Sequence, residues 1–190
     1  MITSYRITKY NPQKRDAQGA YLDRLEWTAI SDIGKPEANS PTGEEYDSVE
    51  NAYVNAVKAV LNDTKLSELK VSGFELHHTN SDFKKFELDG RLRNLSVDFR
   101  TEVKVLKDGM VLRNSQLEKV VRLILREIVW MDLRNDEVEV KFGYDYYMYI
   151  KCHPLQPETI AQIEKTGLYV EPSVAQLSYK IVDSQGNEIL

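Results

Sequence analysis

The chain has one cysteine, Cys152, among its 190 residues, which excludes an intramolecular disulfide and fits a reducing compartment. It also lacks any apolar run approaching the ~20 residues that a membrane-spanning helix needs. The stretch from Met1 to Tyr10 has neither the apolar core nor the small-residue cleavage site of a signal peptide, so a cytoplasmic location is expected. Chemical motifs are missing too. There is no G-x-G-x-x-G, no G-K-S/T and no H-E-x-x-H, which leaves nucleotide cradles and zincin-type sites without support.

Histidine is scarce, with three in all. His77 and His78 are neighbours, and neighbours on a strand point to opposite faces, as do Cys152 and His153. A metal site drawn from His77 or His78 with His153 and Cys152 would need neighbouring strands to converge, and none is expected; no cofactor is expected either. Cys152 falls on the apolar parity of its segment, where a thiol behaves as a small hydrophobe rather than a nucleophile.

Positive charge is outweighed, giving a formal net charge of −5 and a pI near 5.3. Lys84, Lys85, Arg91, Arg93, Arg100 and Lys104, interleaved with Phe83, Phe86 and Phe99, are the main basic concentration. Aromatics among cations can hold single-stranded nucleic acid, but Glu87, Asp89, Asp98 and Glu102 stand among them and would repel phosphates, so a nucleic-acid groove is not expected.

What the chain does have is strong periodicity. Thr42 and Glu45 form a capping box, followed by Tyr46, Val49, Tyr53, Val54, Val57, Val60 and Leu61 at helical spacing as far as Asn62-Asp63. Ser115 and Glu118 form a second box, and Leu117, Val120, Val121, Ile124, Leu125, Ile128 and Met131 predict a helix running to Met131. Beyond Arg134-Asn135-Asp136 the period becomes two, and Val138 to Cys152 predicts a half-buried β segment. Shorter strands are expected at Tyr5–Tyr10, at Leu69–Leu76 with a kink at Gly73, and at Leu95–Val105. Asp108-Gly109 should turn Met110–Leu112 back onto the last of these. Leu25–Ile30 reads as a strand or the floor of a loop, and Asp32–Thr42, rich in breakers, as an exposed connection. Pro157–Lys165 predicts a short helix capped by Gly167, with edge strands at Leu168–Val170 and Gln176–Val182. Together these predict one α+β domain over residues 1–190, a mostly antiparallel sheet with two long amphipathic helices on one face and a short C-terminal helix.

Among eleven tyrosines, Tyr144, Tyr146, Tyr147 and Tyr149 cluster in the alternating segment. Tyr144 and Tyr146 share the apolar parity and are expected to be buried. Tyr147 and Tyr149 share the other parity with Glu137, Glu139 and Asp145, and tyrosine is enriched at protein interfaces because it offers a large rigid contact at little rotamer cost. Glu137 and Glu139, ~7 Å apart along a strand, have the spacing of an acid and base pair. Lys141 continues the same charged face, however, so a solvated sheet surface accounts for them and no catalytic residue is expected.

Three stretches, Tyr5-Arg6-Ile7-Thr8-Lys9-Tyr10-Asn11-Pro12 and Glu26-Trp27-Thr28-Ala29-Ile30-Ser31-Asp32-Ile33-Gly34 near the start and Phe142-Gly143-Tyr144-Asp145-Tyr146-Tyr147-Met148-Tyr149-Ile150 later, resemble a group of small bacterial proteins to which no chemistry is assigned. In general character the chain is also similar to the immunity proteins of polymorphic toxin systems, which are small, acidic and free of catalytic motifs. That likeness implies a non-enzymatic protein that binds a toxin domain, and the shared exposed parity makes Tyr147, Tyr149, Glu137, Glu139 and Asp145 the expected binding residues. The alternatives are a small enzyme using the Ile30–Thr42 loop with Asp32 and a histidine, or an oligomer-forming subunit.

Overall fold

The computed structural model describes residues 2–17, 21–22, 26–36, 39–76, 99–172, 181–182 and 188–189. His77, His78, the basic cluster from Lys84 to Arg93 and the Gln176–Lys180 part of the last expected strand lie outside these residues. The fold is α+β, as its periodicities predict. Its strands are β1 (Thr3–Thr8), β2 (Glu68–Glu75), β3 (Val111–Arg113), β4 (Trp130–Arg134), β5 (Glu139–Phe142), β6 (Met148–Cys152) and β7 (Tyr169–Pro172). They form a seven-stranded sheet in the order β3-β2-β4-β5-β6-β1-β7. Every neighbouring pair is antiparallel. A separate pair, β8 (Ile181–Val182) and β9 (Glu188–Ile189), is also antiparallel.

One parity of each of β1 to β6 is buried, whereas β7 has no fully buried residue. Tyr5, Ile7, Leu69, Val71, Leu112, Met131, Leu133, Val140, Phe142, Met148, Ile150 and Cys152 all lie in one hydrophobic core. Helices α1 (Gly43–Asp63), α3 (Asn114–Leu125) and α4 (Pro157–Glu164) supply the rest of it. The capping box of α1 forms as expected: Glu45 N donates to Thr42 Oγ1 (3.2 Å), and Thr42 N donates to Glu45 Oε2 (2.7 Å). The helix closes with Lys65 at φ 58°. Lys65 N donates to the Asn62 carbonyl and Leu66 N to that of Leu61, the paired bonds of a Schellman ending. The kink expected at Gly73 is present, with φ at 65° and the β2–β4 register shifting between Ser72 and Glu75.

The structure departs from the sequence reading at α3. The helix begins at Asn114, takes no side-chain cap, and leaves Ser115 inside its first turn. It ends at Leu125 rather than Met131. Glu127 turns left-handed (φ 55°), and Ile128 N donates to the Leu123 carbonyl (3.0 Å). Ile128 is buried as the apolar plug of that Schellman ending, and Met131 is an inward residue of β4, so the helical spacing ran on by coincidence.

A second departure is Phe99–Val105, which is a helix, α2, and not a strand. Val103 and Leu106, three apart, are buried, while Val105, placed inward by the alternation, is 56% exposed. Helical spacing onto the core outweighs alternation here, and Lys119 of α3 pairs with Glu102 of α2. The Asp108-Gly109 turn accordingly serves β2: Gly109 N donates to Val71 O, Val71 N donates to Met110 O, and β3 pairs with β2. Leu25–Ile30 contributes no described strand; Trp27 and Ile30 are buried below a connection that ends in the short turn Ile30–Asp32.

Candidate functional site

The expected Val138–Cys152 segment is two strands, β5 and β6, joined by the turn Tyr144-Asp145-Tyr146-Tyr147, which Tyr147 N closes onto the Tyr144 carbonyl (3.2 Å). Both central residues have positive φ, 57° at Asp145 and 60° at Tyr146, the signature of a type I′ turn. Glycine or asparagine normally fills such positions, and a bulky ring there costs on the order of 1–3 kcal/mol. What holds Tyr146 in place is the core. Its ring packs at 5.1 Å from Trp27 and 5.9 Å from Tyr53, between centroids. Its hydroxyl donates to Tyr46 Oη (3.1 Å) and sits 3.3 Å from the Leu125 carbonyl. Its own carbonyl accepts from the Tyr53 hydroxyl. Burial pushes the Tyr46, Tyr53 and Tyr146 hydroxyls well above the ordinary tyrosine range, so all are neutral donors.

The turn explains a correction. Tyr144, expected to be buried with Tyr146, is 77% exposed, because the two left-handed residues after it break the alternation. Its ring lies 5.6 Å from that of half-buried Trp130. Trp130 points to the face of the sheet away from the helices, since its neighbour Met131 points into the core. Tyr149 shares that face, and its ring edge would meet a Cβ at Gly143 at 3.2 Å, so the ring leans over a position with no side chain. Tyr147 is half-buried between Tyr149 (6.5 Å) and Tyr10 (5.4 Å), with the Arg6 guanidinium 5.7 Å from its ring centre. The result is an aromatic band across one end of this face, which among the described residues no helix covers and which is termed the uncovered face.

Charges continue the face below this band. Arg6 stands opposite both Glu171 and Tyr149, and Tyr149 opposite Lys141. Lys141 Nζ bridges Asp132 (3.2 Å) and Glu139 (3.1 Å). Burial alone would lower the Lys141 pKa, but the hydrogen bond it donates to Glu139 and the two carboxylate charges raise it on balance. Burial raises that of Asp132 more than Lys141 lowers it. Glu171 accepts from Arg6 (3.0 and 3.1 Å) and Arg15 (2.8 Å). Burial opposes ionisation of Glu171, and the arginines outweigh it, so its pKa falls below the ordinary carboxylate value. A depressed carboxylate adds stability above its unfolded pKa and loses it as pH falls through the folded value. Glu171→Gln is therefore expected to lower stability in urea melts at pH 7, with the difference from wild type closing as acid protonates Glu171.

Of the residues expected to bind a partner, the structure brings Tyr147, Tyr149 and Glu139 onto this face. Asp145 is exposed at the tip of the turn. Glu137 is exposed in the turn at the other end of β5, where its N–H donates to Asn135 Oδ1 (2.9 Å). That turn borders a cleft of about 880 Å³, lined also by Lys70, Ser72, Arg134 and Asp108. Trp130 and Tyr144 were missed in the sequence; the signal for Trp130 was its inverse parity to Met131.

The other candidates take structural places. Asp32 accepts from Thr28 N (2.9 Å) and Ala29 N (3.1 Å) and pairs with Lys35 (2.6 Å), capping its turn. Cys152 is buried, and burial with the nearby Asp63 charge pushes its thiol up to about 11, leaving almost no thiolate at neutral pH. Among the described residues no group of histidine, cysteine and carboxylate side chains is placed to hold a metal ion. Nor, among them, is any helix long and apolar enough to cross a membrane.

The architecture is thus an antiparallel sheet with helices on one face and an aromatic and charged surface on the other. Comparison with protein-family models, curated proteins and solved structures gives no match to the chain.

Proposed function

We propose that the chain is a non-enzymatic binding protein that covers a domain of a protein partner with the uncovered face of its sheet, in the manner of an immunity protein neutralising a toxin domain. The observation that carries this reading is the exposed Tyr144 ring beside Trp130, on the same face as Tyr149 and Tyr147. Aromatic anchors ringed by paired charges are the composition of binding hot spots. The buried turn residue Tyr146 fixes the backbone that carries Tyr144 and Tyr147, so the anchors are pre-organised and little ordering entropy is lost on binding.

The test starts with the tagged full chain, used to capture its partner in the native host, after which the partner is expressed alone and together with the chain. The partner is expected to be toxic alone and harmless in company. Tyr144→Ala with Tyr149→Ala is expected to weaken the complex at least tenfold, read by calorimetry, while circular dichroism and thermal midpoint stay close to wild type. Tyr147→Ala should weaken binding too, at some cost in stability, because that ring also packs on Tyr10. A captured partner whose affinity is unchanged by these substitutions would count against the surface, and one that is harmless alone would count against the immunity role.

A further inference from the structure

The uncovered face has a polarity opposite to that of the whole protein, and this bears on what it receives. Most of its carboxylates are half-buried and engaged, Glu68 with Arg113, Asp132 and Glu139 with Lys141, and Glu171 with Arg6 and Arg15, while Glu75, opposite Trp130, is exposed. Apart from Glu75 beside the aromatic band, the exposed charges of its strands are cations. Lys70 of β2 stands directly opposite Arg134 of β4, Arg134 opposite Glu139 of β5, and Glu139 opposite Lys151 of β6. Lys70, Arg134 and Lys151 are exposed, with the Arg134 charge also felt by Asp132. They form one cross-strand row that reaches ~14 Å over neighbouring strands at ~4.8 Å spacing. Like charges directly opposite one another destabilise a sheet, so the Lys70–Arg134 pairing is a local cost that Glu139, opposite Arg134 on its other side, offsets in part. Such a cost is what a functional surface carries.

We infer that the partner surface docked on this face is acidic, its carboxylates meeting the Lys70–Arg134–Lys151 row while its apolar part meets the band of Trp130, Tyr144 and Tyr149. This rests on the reading of the face as a protein-binding surface and adds the chemistry of what it binds. Complementary charge sets on-rate and register more than total affinity, so the row steers an acidic partner onto the aromatic anchors. A polynucleotide is the weaker occupant. Glu139 lies within the row and Asp132 beside it, and an unbroken phosphate backbone would sit against both, whereas a protein surface can place a cation or hydroxyl there.

The test compares wild type with Lys70→Glu/Arg134→Glu/Lys151→Glu, and with a control of equal net charge, Lys65→Glu/Lys104→Glu/Lys165→Glu, whose positions are exposed and off the sheet. Fluorescein-labelled 20-residue poly-L-glutamate is titrated at low and moderate salt and read by anisotropy, beside a labelled 20-nucleotide oligouridylate. Wild type and control are expected to bind poly-L-glutamate, more weakly as salt rises, with at least a tenfold loss in the sheet variant and at least tenfold weaker binding of oligouridylate. Absent poly-L-glutamate binding, or an equal loss in the control, overturns the inference. Oligouridylate binding tighter than poly-L-glutamate and lost in the sheet variant overturns it in favour of nucleic acid. A dimer in sedimentation equilibrium that only the sheet variant dissociates overturns it in favour of a second copy. Applied to the captured partner, the same variants separate the two readings. If the sheet-row variant binds normally while Tyr144→Ala/Tyr149→Ala does not, the acidic-partner inference fails and the docking face stands. If neither weakens the complex, the docking face itself fails.

Discussion

Glu50→Ala is expected to destabilise the protein by about 3–5 kcal/mol, the cost of leaving a buried charge without its partner. Glu50, on α1, is 1% exposed, and Arg126, just past the end of α3, is 2% exposed. They meet in a two-bonded fork, Nε to Oε1 at 2.5 Å and Nη2 to Oε2 at 2.8 Å. Arg122 adds a further bond to Glu50 Oε2 at 2.6 Å and reaches Asn51 Oδ1, also at 2.6 Å. The Tyr46 hydroxyl donates to Glu50 Oε1 (3.4 Å), so the carboxylate is the hub of the α1–α3 contact. Burial alone would lower the Arg126 pKa, and Glu50 outweighs it, so the guanidinium stays charged at any accessible pH. Once Glu50 is gone, that buried charge loses its two-bonded carboxylate and keeps the more distant influence of Asp47. Glu50→Leu combined with Arg126→Met is expected to recover most of the loss, because removing both charges also removes both desolvation costs. Urea melts of wild type, the single variant and the double variant check this. A double variant no more stable than Glu50→Ala would mean that the pair contributes more than it costs to desolvate.

Tyr146→Ala is expected to cost about 3–5 kcal/mol, in the range of a core aromatic truncated to alanine. The left-handed φ remains unfavourable for alanine, so little strain is recovered in exchange. Tyr146→Phe should cost only about 0.5–1.5 kcal/mol, since the ring stays and one hydrogen bond to Tyr46 or Leu125 is lost. The two variants also differ in function. Alanine frees the turn that directs Tyr144 toward Trp130, so partner affinity should fall although Tyr146 itself is 6% exposed, whereas phenylalanine should leave it near wild type. Denaturation for stability and calorimetry with the captured partner for affinity read both effects.

The parts of the fold legible in the sequence were those fixed by one local rule. The Thr42–Glu45 box, the Tyr46–Leu61 stripe and the Gly73 kink each follow from spacing and chain geometry, and each is found. Ile128 and Met131 misled because a Schellman plug and an inward strand residue happen to continue a helical spacing. Phe99–Val105 misled because its alternation and its helical spacing compete, and only packing against α3 decides between them. The candidate site divides the same way. Parity placed Tyr149 and Glu139 on the uncovered face. Tyr144 came out because a turn built from residues unusual for positive φ was invisible to a parity argument. The polarity of the face was invisible too, since Lys70, Arg134 and Lys151 are far apart in sequence and meet only through the strand order.

The central claim, that the uncovered sheet face is the docking surface, is tested most directly by hydroxyl-radical footprinting of the captured complex against the free chain. Oxidation of Trp130, Tyr144 and Tyr149 is expected to fall several-fold on binding, while Val49 on α1 and Ile160 on α4 react at unchanged rates. Unchanged oxidation of the three aromatic residues together with protection at Val49 and Ile160 would contradict it and move the docking surface to the helices.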